Sequence, residues 1–182
     1  MRTETINIYK FNELDIKIQD KVIEHFRNIN DYPTLKESMY DECKHQLKEH
    51  SIEIVGDDNK FKVLWSLSYS QGDGSMFEGL FMWDKYTILI KQNGHYYHYN
   101  SKVFEYFDLT NIDDIEMTDK EYEDYQKDLK QSEKDFNDIY VSICKGLEKY
   151  GYSIIESEDS EESIKEMIDA NDYEFYNNGE IV

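Results

Sequence analysis

Residues 62–79 read KVLWSLSYSQGDGSMFEG. The first part alternates: Val63, Trp65, Leu67 and Tyr69 fall on one face of an extended strand, and Leu64, Ser66, Ser68 and Ser70 on the other. One face is apolar and aromatic. The other ends in a row of hydroxyls, which is costly to bury unless each finds a partner. Gln71-Gly72-Asp73-Gly74 then sets an acid between two glycines, where the backbone can take a positive φ or approach another group closely. A plain hairpin needs fewer special residues, so a glycine-rich turn with a solvated Asp73 competes with a built site.

Downstream of this loop the pattern stays extended. Residues 80–91 are aromatic and β-branched, one strand or two with a bend, and Gln92-Asn93-Gly94 signals a hairpin. A return strand over 96–100 follows, extended by 104–107. Upstream, 5–11 reads as a short strand. Asp15 is placed to cap a helix over 16–28 with Ile18, Val22, Ile23 and Phe26 on one stripe. Pro33 ends that segment. Thr34 and Glu37 open a second helix to about residue 50, with Leu35, Met39, Cys43 and Leu47 as its apolar face. A strand over 52–55 and an acidic turn over 56–59 lead back to the opening stretch.

Toward the C-terminus, Thr118 and Glu121 form a second capping box, and one long helix runs over about 118–150. Gly151 reads as its stop, and 152–155 as strand-like. Residues 113–138 hold 11 acids and four lysines, whereas Phe136, Ile139, Tyr140, Ile143 and Leu147 give the second half an apolar face. An acidic C-terminal segment, 156–182, contains a last helix over 161–170 and a small hairpin. The expected fold is a single α+β domain over 1–182, an antiparallel β-meander with N- and C-terminal helices packed on the sheet.

Composition bounds the function. Forty acids against 20 bases leave a net charge of −20 over 182 residues. Unassisted capture of a polyanion is disfavoured, because nucleic-acid affinity comes largely from counterions released by Lys and Arg. Solubility explains such a charge, and so does an acidic surface that docks on a basic groove. No apolar run approaches a membrane span, and residues 1–11 lack a signal-peptide core; a cytoplasmic location is the expectation. Cys43 and Cys144 read as reduced core residues, and no Cys/His cluster suggests zinc.

The arrangement Ser66, Ser68, Ser70, Gln71, Gly72, Asp73, Gly74, Phe77 and Gly79 resembles a family of small acidic phage and prophage proteins. The helix after Glu13-Leu14, the stretch 95–99 and the ending Ala170-Asn171-Asp172-Tyr173-Glu174-Phe175 with Asn178-Gly179 fit the same picture. In length and acidity the chain is similar to the type II-A anti-CRISPR proteins. That resemblance implies a partner, the type II-A effector nuclease with its guide RNA in the host bacterial cell, and an effect, truncation of the guide. The competing expectation is a non-catalytic acidic protein, a nucleic-acid mimic that binds a basic host protein.

If the loop carries chemistry, Asp73, His98, Gln71 and Ser70 are the candidate catalytic set. A base near neutral pH would deprotonate a 2′-hydroxyl, a second group would protonate the leaving oxygen, and amides would stabilise the phosphorane. Histidine titrates in the right range, and His98 is favoured over His95, which directly follows the Asn-Gly turn. Asp73 with Glu78 offers an alternative as magnesium ligands, although no spacing indicates a metal. Such a ribonuclease activity would depend on the nuclease–guide complex for its positive charge. Ser68, Phe77, Glu78 and Tyr97 complete the candidate binding set around the loop; the candidate docking surface is the acidic helix 118–132, with Asp119, Glu121, Glu123 and Asp124, or the acidic stretch 156–162. A base-stacking role for the tyrosines competes with ordinary packing, which the scarcity of neighbouring Lys and Arg favours.

Overall fold

In a computed structural model, which describes residues 6–56, 60–110 and 117–182, the residues after the glycine loop form the longest strand of an antiparallel sheet. The strands are β1 (Ile52–Ile54), β2 (Lys62–Ser66), β3 (Gly74–Trp83), β4 (Tyr86–Gln92) and β5 (Lys102–Leu109). β2 pairs with the first half of β3, Val63 opposite Phe77, and β1 with its end, Ile54 opposite Phe81. β4 joins β3 from Gly79 onward, and β5 pairs with β4 through a bulge at Leu89/Ile90. The helices are α1 (Ile16–Ile29), α2 (Leu35–Glu49), α3 (Asp119–Glu158) and α4 (Glu161–Ala170). The fold is α+β, and β2 to β5 are the expected meander.

Contacts gather the chain into two units, Thr34–Tyr152 and Met1–Pro33 with Ser153–Val182. In the larger, the predicted face of α2 is buried in full at Leu35, Met39, Cys43 and Leu47 and packs by β1 and β2. α3 lays Phe136 against Trp83, Phe104 and Phe107, with ring centroids 5.3–5.8 Å apart. Tyr140 stacks on Phe77 at 4.5 Å, and its hydroxyl donates to Phe77 O (3.1 Å) while accepting from Phe77 N (3.3 Å). One turn on, Ser75 Oγ donates to Cys144 O at 2.6 Å. Both cysteines are free and buried, and burial pushes the Cys144 thiol up to about 12. In the smaller unit, α1 and α4 share a core of Phe11, Leu14, Val22, Ile23, Phe26, Ile164, Ile168 and Phe175. No helix among the described residues is long and apolar enough to cross a membrane.

Several local expectations are corrected. The described part of the 5–11 strand has only an isolated bridge, Tyr9 to Phe175, before a 3₁₀ turn at Phe11–Glu13 whose Glu13 carboxylate takes Lys10 N–H at 2.8 Å. The opening strand stops at Ser66. Residues 80–91, by contrast, are the expected two strands with a bend, a tight turn at Asp84-Lys85 with Asp84 at φ 51° dividing β3 from β4. Residues 96–100 are not a strand, because His98 captures the Asn100 amide and starts a 3₁₀ turn, Tyr99–Ser101. The C-terminal hairpin is one bridge, Phe175 to Ile181. The expected turn residues Asp57, Asp58 and Asn59, and the acids Asp113, Asp114 and Glu116, lie outside the described residues.

The largest correction concerns α3. Its capping box forms as expected, with Thr118 N and Oγ1 donating to Glu121 Oε2 (2.8 and 2.6 Å) and Glu121 N returning to Thr118 Oγ1 (3.4 Å). Gly151, however, does not stop the helix, which continues to Glu158 through the predicted strand 152–155. A Cβ at Gly151 would lie 2.4 Å from Leu67 Cδ1 and 3.1 Å from Met39 Sδ. The glycine is there to let α3 sit close on its neighbours, not to end it. Gly146, by contrast, faces open space. Gly151→Ala is therefore expected to destabilise by about 1 kcal/mol, crowding outweighing the gain in helix propensity. Gly146→Ala should stabilise by about 0.5–1 kcal/mol. Chemical denaturation of the two variants beside the parent checks both signs.

Candidate functional site

The row of hydroxyls on β2 and the loop acid answer each other. Tyr69 is left-handed at φ 54°, a conformation that turns the amides on either side of it toward one point. Ser68 N and Ser70 N both donate to Asp73 Oδ2, at 2.8 and 3.0 Å. The hydroxyls of Ser68, Ser70 and Ser66 surround Oδ1 at 2.9, 3.2 and 3.4 Å. Tyr152, carried by α3 one residue past the close-packed glycine, donates its hydroxyl to Oδ2 and accepts from Tyr69 N at 3.1 Å. Gly72 closes the turn at φ 105°. The loop is an anion-binding nest filled by its own aspartate.

Charge follows geometry. Burial pushes the Asp73 carboxyl up, but the hydrogen bonds from Tyr152 and from Ser70 and Ser68 more than reverse this and hold it well below the usual carboxylate range. Tyr152 moves the opposite way, raised by burial and by the carboxylate it serves.

Beside this nest, Gln71, Gly72 and Asp73 with Tyr96, His98, Asn100 and Ser101 line an open cleft of about 490 Å³. The second hairpin does bring His98 back to the loop, while exposed His95 is not part of the lining. Gly74 makes room for it: a Cβ there would lie 2.6 Å from His98 Cδ2. His98 Nδ1 accepts from Asn100 N at 3.1 Å. In the neutral ring that bond leaves the proton on Nε2, so His98 offers the cleft a donor, its basic nitrogen already engaged. Asp73 is equally committed. The arrangement suits recognition by hydrogen bonds from Gln71, Asn100 and Ser101 beside the exposed ring of Tyr96, more than it suits proton abstraction.

The remaining candidates scatter. Ser70 and Ser68 spend their hydroxyls on Asp73. Phe77 is fully buried in the core and offers no binding surface, a correction to its candidacy. Glu78 belongs to a separate network, bound to Lys62 Nζ at 2.7 Å and accepting from Gln92 N at 3.1 Å. Among the described residues no group of three or more His, Cys, Asp or Glu side chains is placed to hold a metal ion. Tyr97 is exposed. Asp119, Glu121, Glu123 and Asp124 lie exposed on the first turns of α3, with Glu121 occupied in the cap. Sequence reasoning missed Tyr152, Asn100 and Ser101, and weighed Tyr96 only among the tyrosines that could stack on bases. For Tyr152 a signal existed, since Tyr140, Cys144, Leu147 and Gly151 continue one helical stripe.

The fold and site define a small α+β protein whose glycine loop is locked from within beside a polar cleft. No family model, curated protein or solved structure matches the chain.

Asp73→Asn should destabilise the protein by about 1–3 kcal/mol, because an amide presents NH₂ where the nest offers only donors. The folded-state pKa of Asp73 is depressed. Its contribution is therefore complete above the unfolded carboxylate value of about 3.9 and is lost as pH falls below it. Melting curves of parent and variant should differ at neutral pH and converge in acid; a constant gap would remove the charged nest.

Proposed function

We propose that the chain is an acidic interaction protein of phage or prophage type that docks on a basic, nucleic-acid-handling host protein in the cytoplasm. The partner is the guide-loaded type II-A RNA-guided DNA nuclease, and the outcome is its inhibition. The observation that supports this is charge: net −20, with Asp119, Glu123 and Asp124 exposed on the first turns of α3. Such a surface repels nucleic acid and complements a guide-binding channel, and steering by opposite potentials would set the association rate. The SQGDG loop supports the phage assignment by resemblance, and the choice of nuclease rests on the likeness in length and acidity to the type II-A anti-CRISPR proteins. A second reading, truncation of the guide by the docked complex, rests on the resemblance and on the cleft that gathers Gln71, Asp73 and His98, whose hydrogen bonds suit recognition better than proton abstraction.

Capture of the guide-loaded nuclease on immobilised protein, with the bound RNA sized on a gel, tests both. The nuclease should be retained at low salt and lost steeply as salt rises, since exposed charges are screened beyond a Debye length of about 8–10 Å. Replacing Asp119, Glu123 and Asp124 together with Asn, Gln and Asn should slow association about tenfold or more and leave dissociation nearly unchanged. Glu121 is kept, because it caps α3. A shortened guide that returns to full length with His98→Gln would assign truncation to the cleft. No inhibition of any type II-A nuclease at cell-like salt would end the proposal.

A further inference from the structure

The unit formed by α1, α4 and the chain ends has a groove that its own residues do not fill. α1 buries Val22, Ile23 and Phe26 as one stripe, and the next residue on that stripe, Ile29, is 56% exposed. α4 buries Ile164 and Ile168 and leaves Met167 partly covered beside them, next to Tyr173, whose ring lies 5.4 Å from Phe26. Phe26, Ile29, Met167 and Tyr173 line an open groove of about 400 Å³ that also takes in Asp31 and Glu158 and no basic residue.

The groove is braced. Asp159 accepts from Asn30 Nδ2 (3.2 Å) and Tyr32 OH (2.9 Å) through its carboxylate, and its carbonyl accepts from Arg27 Nε (2.9 Å). Arg27, the basic residue of this brace, is further held by Glu24 at 3.4 Å. Ser160 caps α4 through Ser163 N at 3.2 Å. Five of the seven residues 156–162 are acidic. An apolar floor with an acidic surround, fixed in place before any partner arrives, sets the chemistry of its occupant.

We propose that this groove seats an amphipathic helix of the partner, with one or two large aliphatic side chains on Ile29, Met167 and Tyr173 and with Lys or Arg beside Asp31. Helix-in-groove recognition places apolar anchors at helical spacing, and the acids select a basic helix over an acidic one. A second copy of this chain is a poor occupant, because it carries the same net charge of −20. The inference rests on the proposed docking to a basic protein for the identity of the partner, and on the groove itself for everything else.

The full-length chain is titrated by NMR with three synthetic helical peptides: one with Leu anchors and a Lys/Arg face, one with the anchors replaced by Gln, and one with the Lys/Arg face replaced by Glu. The first should bind and shift the resonances of Ile29, Met167 and Tyr173; the other two should bind about tenfold more weakly or worse. Ile29→Gln, at an exposed position that the fold does not need, should cost about tenfold with the first peptide. Asp31→Asn should cost less and reduce the salt dependence. Equal binding of the Gln-anchored peptide, equal binding of the Glu peptide, or an unchanged affinity in Ile29→Gln would overturn the groove. These readouts need no nuclease, so loss of the groove and loss of the nuclease partner are separately visible.

Discussion

The larger unit depends on how one helix is seated on one strand. β3 is paired with β2 at Phe77, and the peptide groups of Phe77 turn to a phenol, Tyr140, which accepts from its N–H and donates to its carbonyl. Such groups are expensive to bury unpaired, so the contact fixes the height of α3 above the sheet. Ser75 to Cys144 fixes it again one turn on, and Gly151 allows the close approach at Leu67. With residues 140, 144 and 151 set along one face, the position of residue 152 is no longer free. It delivers a second phenol to the loop.

That delivery explains what the glycine loop is. A carboxylate surrounded by two amides, three serine hydroxyls and Tyr152 is already solvated by protein, as an external anion would be in a nest. Its charge is spent on holding residues 66–73 against α3. The cleft beside it inherits rigid walls and a histidine whose proton is fixed by its own backbone. Its polar groups are Gln71, His98, Asn100 and Ser101, beside the ring of Tyr96.

Two different surfaces therefore carry the acidic character of the chain. The first turns of α3 present carboxylates on a solvated helix, where they act at long range and are sensitive to salt. Asp31 and Glu158 lie beside the apolar side chains of the groove, where charge and burial act together.

Local chemistry made much of this legible. The alternation as far as Ser66, the four-residue repeat of α2 and the Thr118–Glu121 box each describe interactions between residues close in sequence, and these formed as read. The acidity of the chain, too, is a property of sequence alone, as is the odd pairing of three serines with one acid. What the sequence did not decide were residues whose meaning lies elsewhere in the chain. Gly151 is a helix stop by local rules and a packing notch once Leu67 and Met39 are beside it. Residues 96–100 have the composition of a strand, yet His98 bonds to the Asn100 amide and packs on Gly74, and the strand begins only at Lys102. Asp73 could have been solvated, catalytic or structural. Tyr152, brought 79 positions along the chain by the seating of α3, completes the hydrogen bonding of the Asp73 carboxylate, and a hydrogen bond of that range exists only after the core has closed.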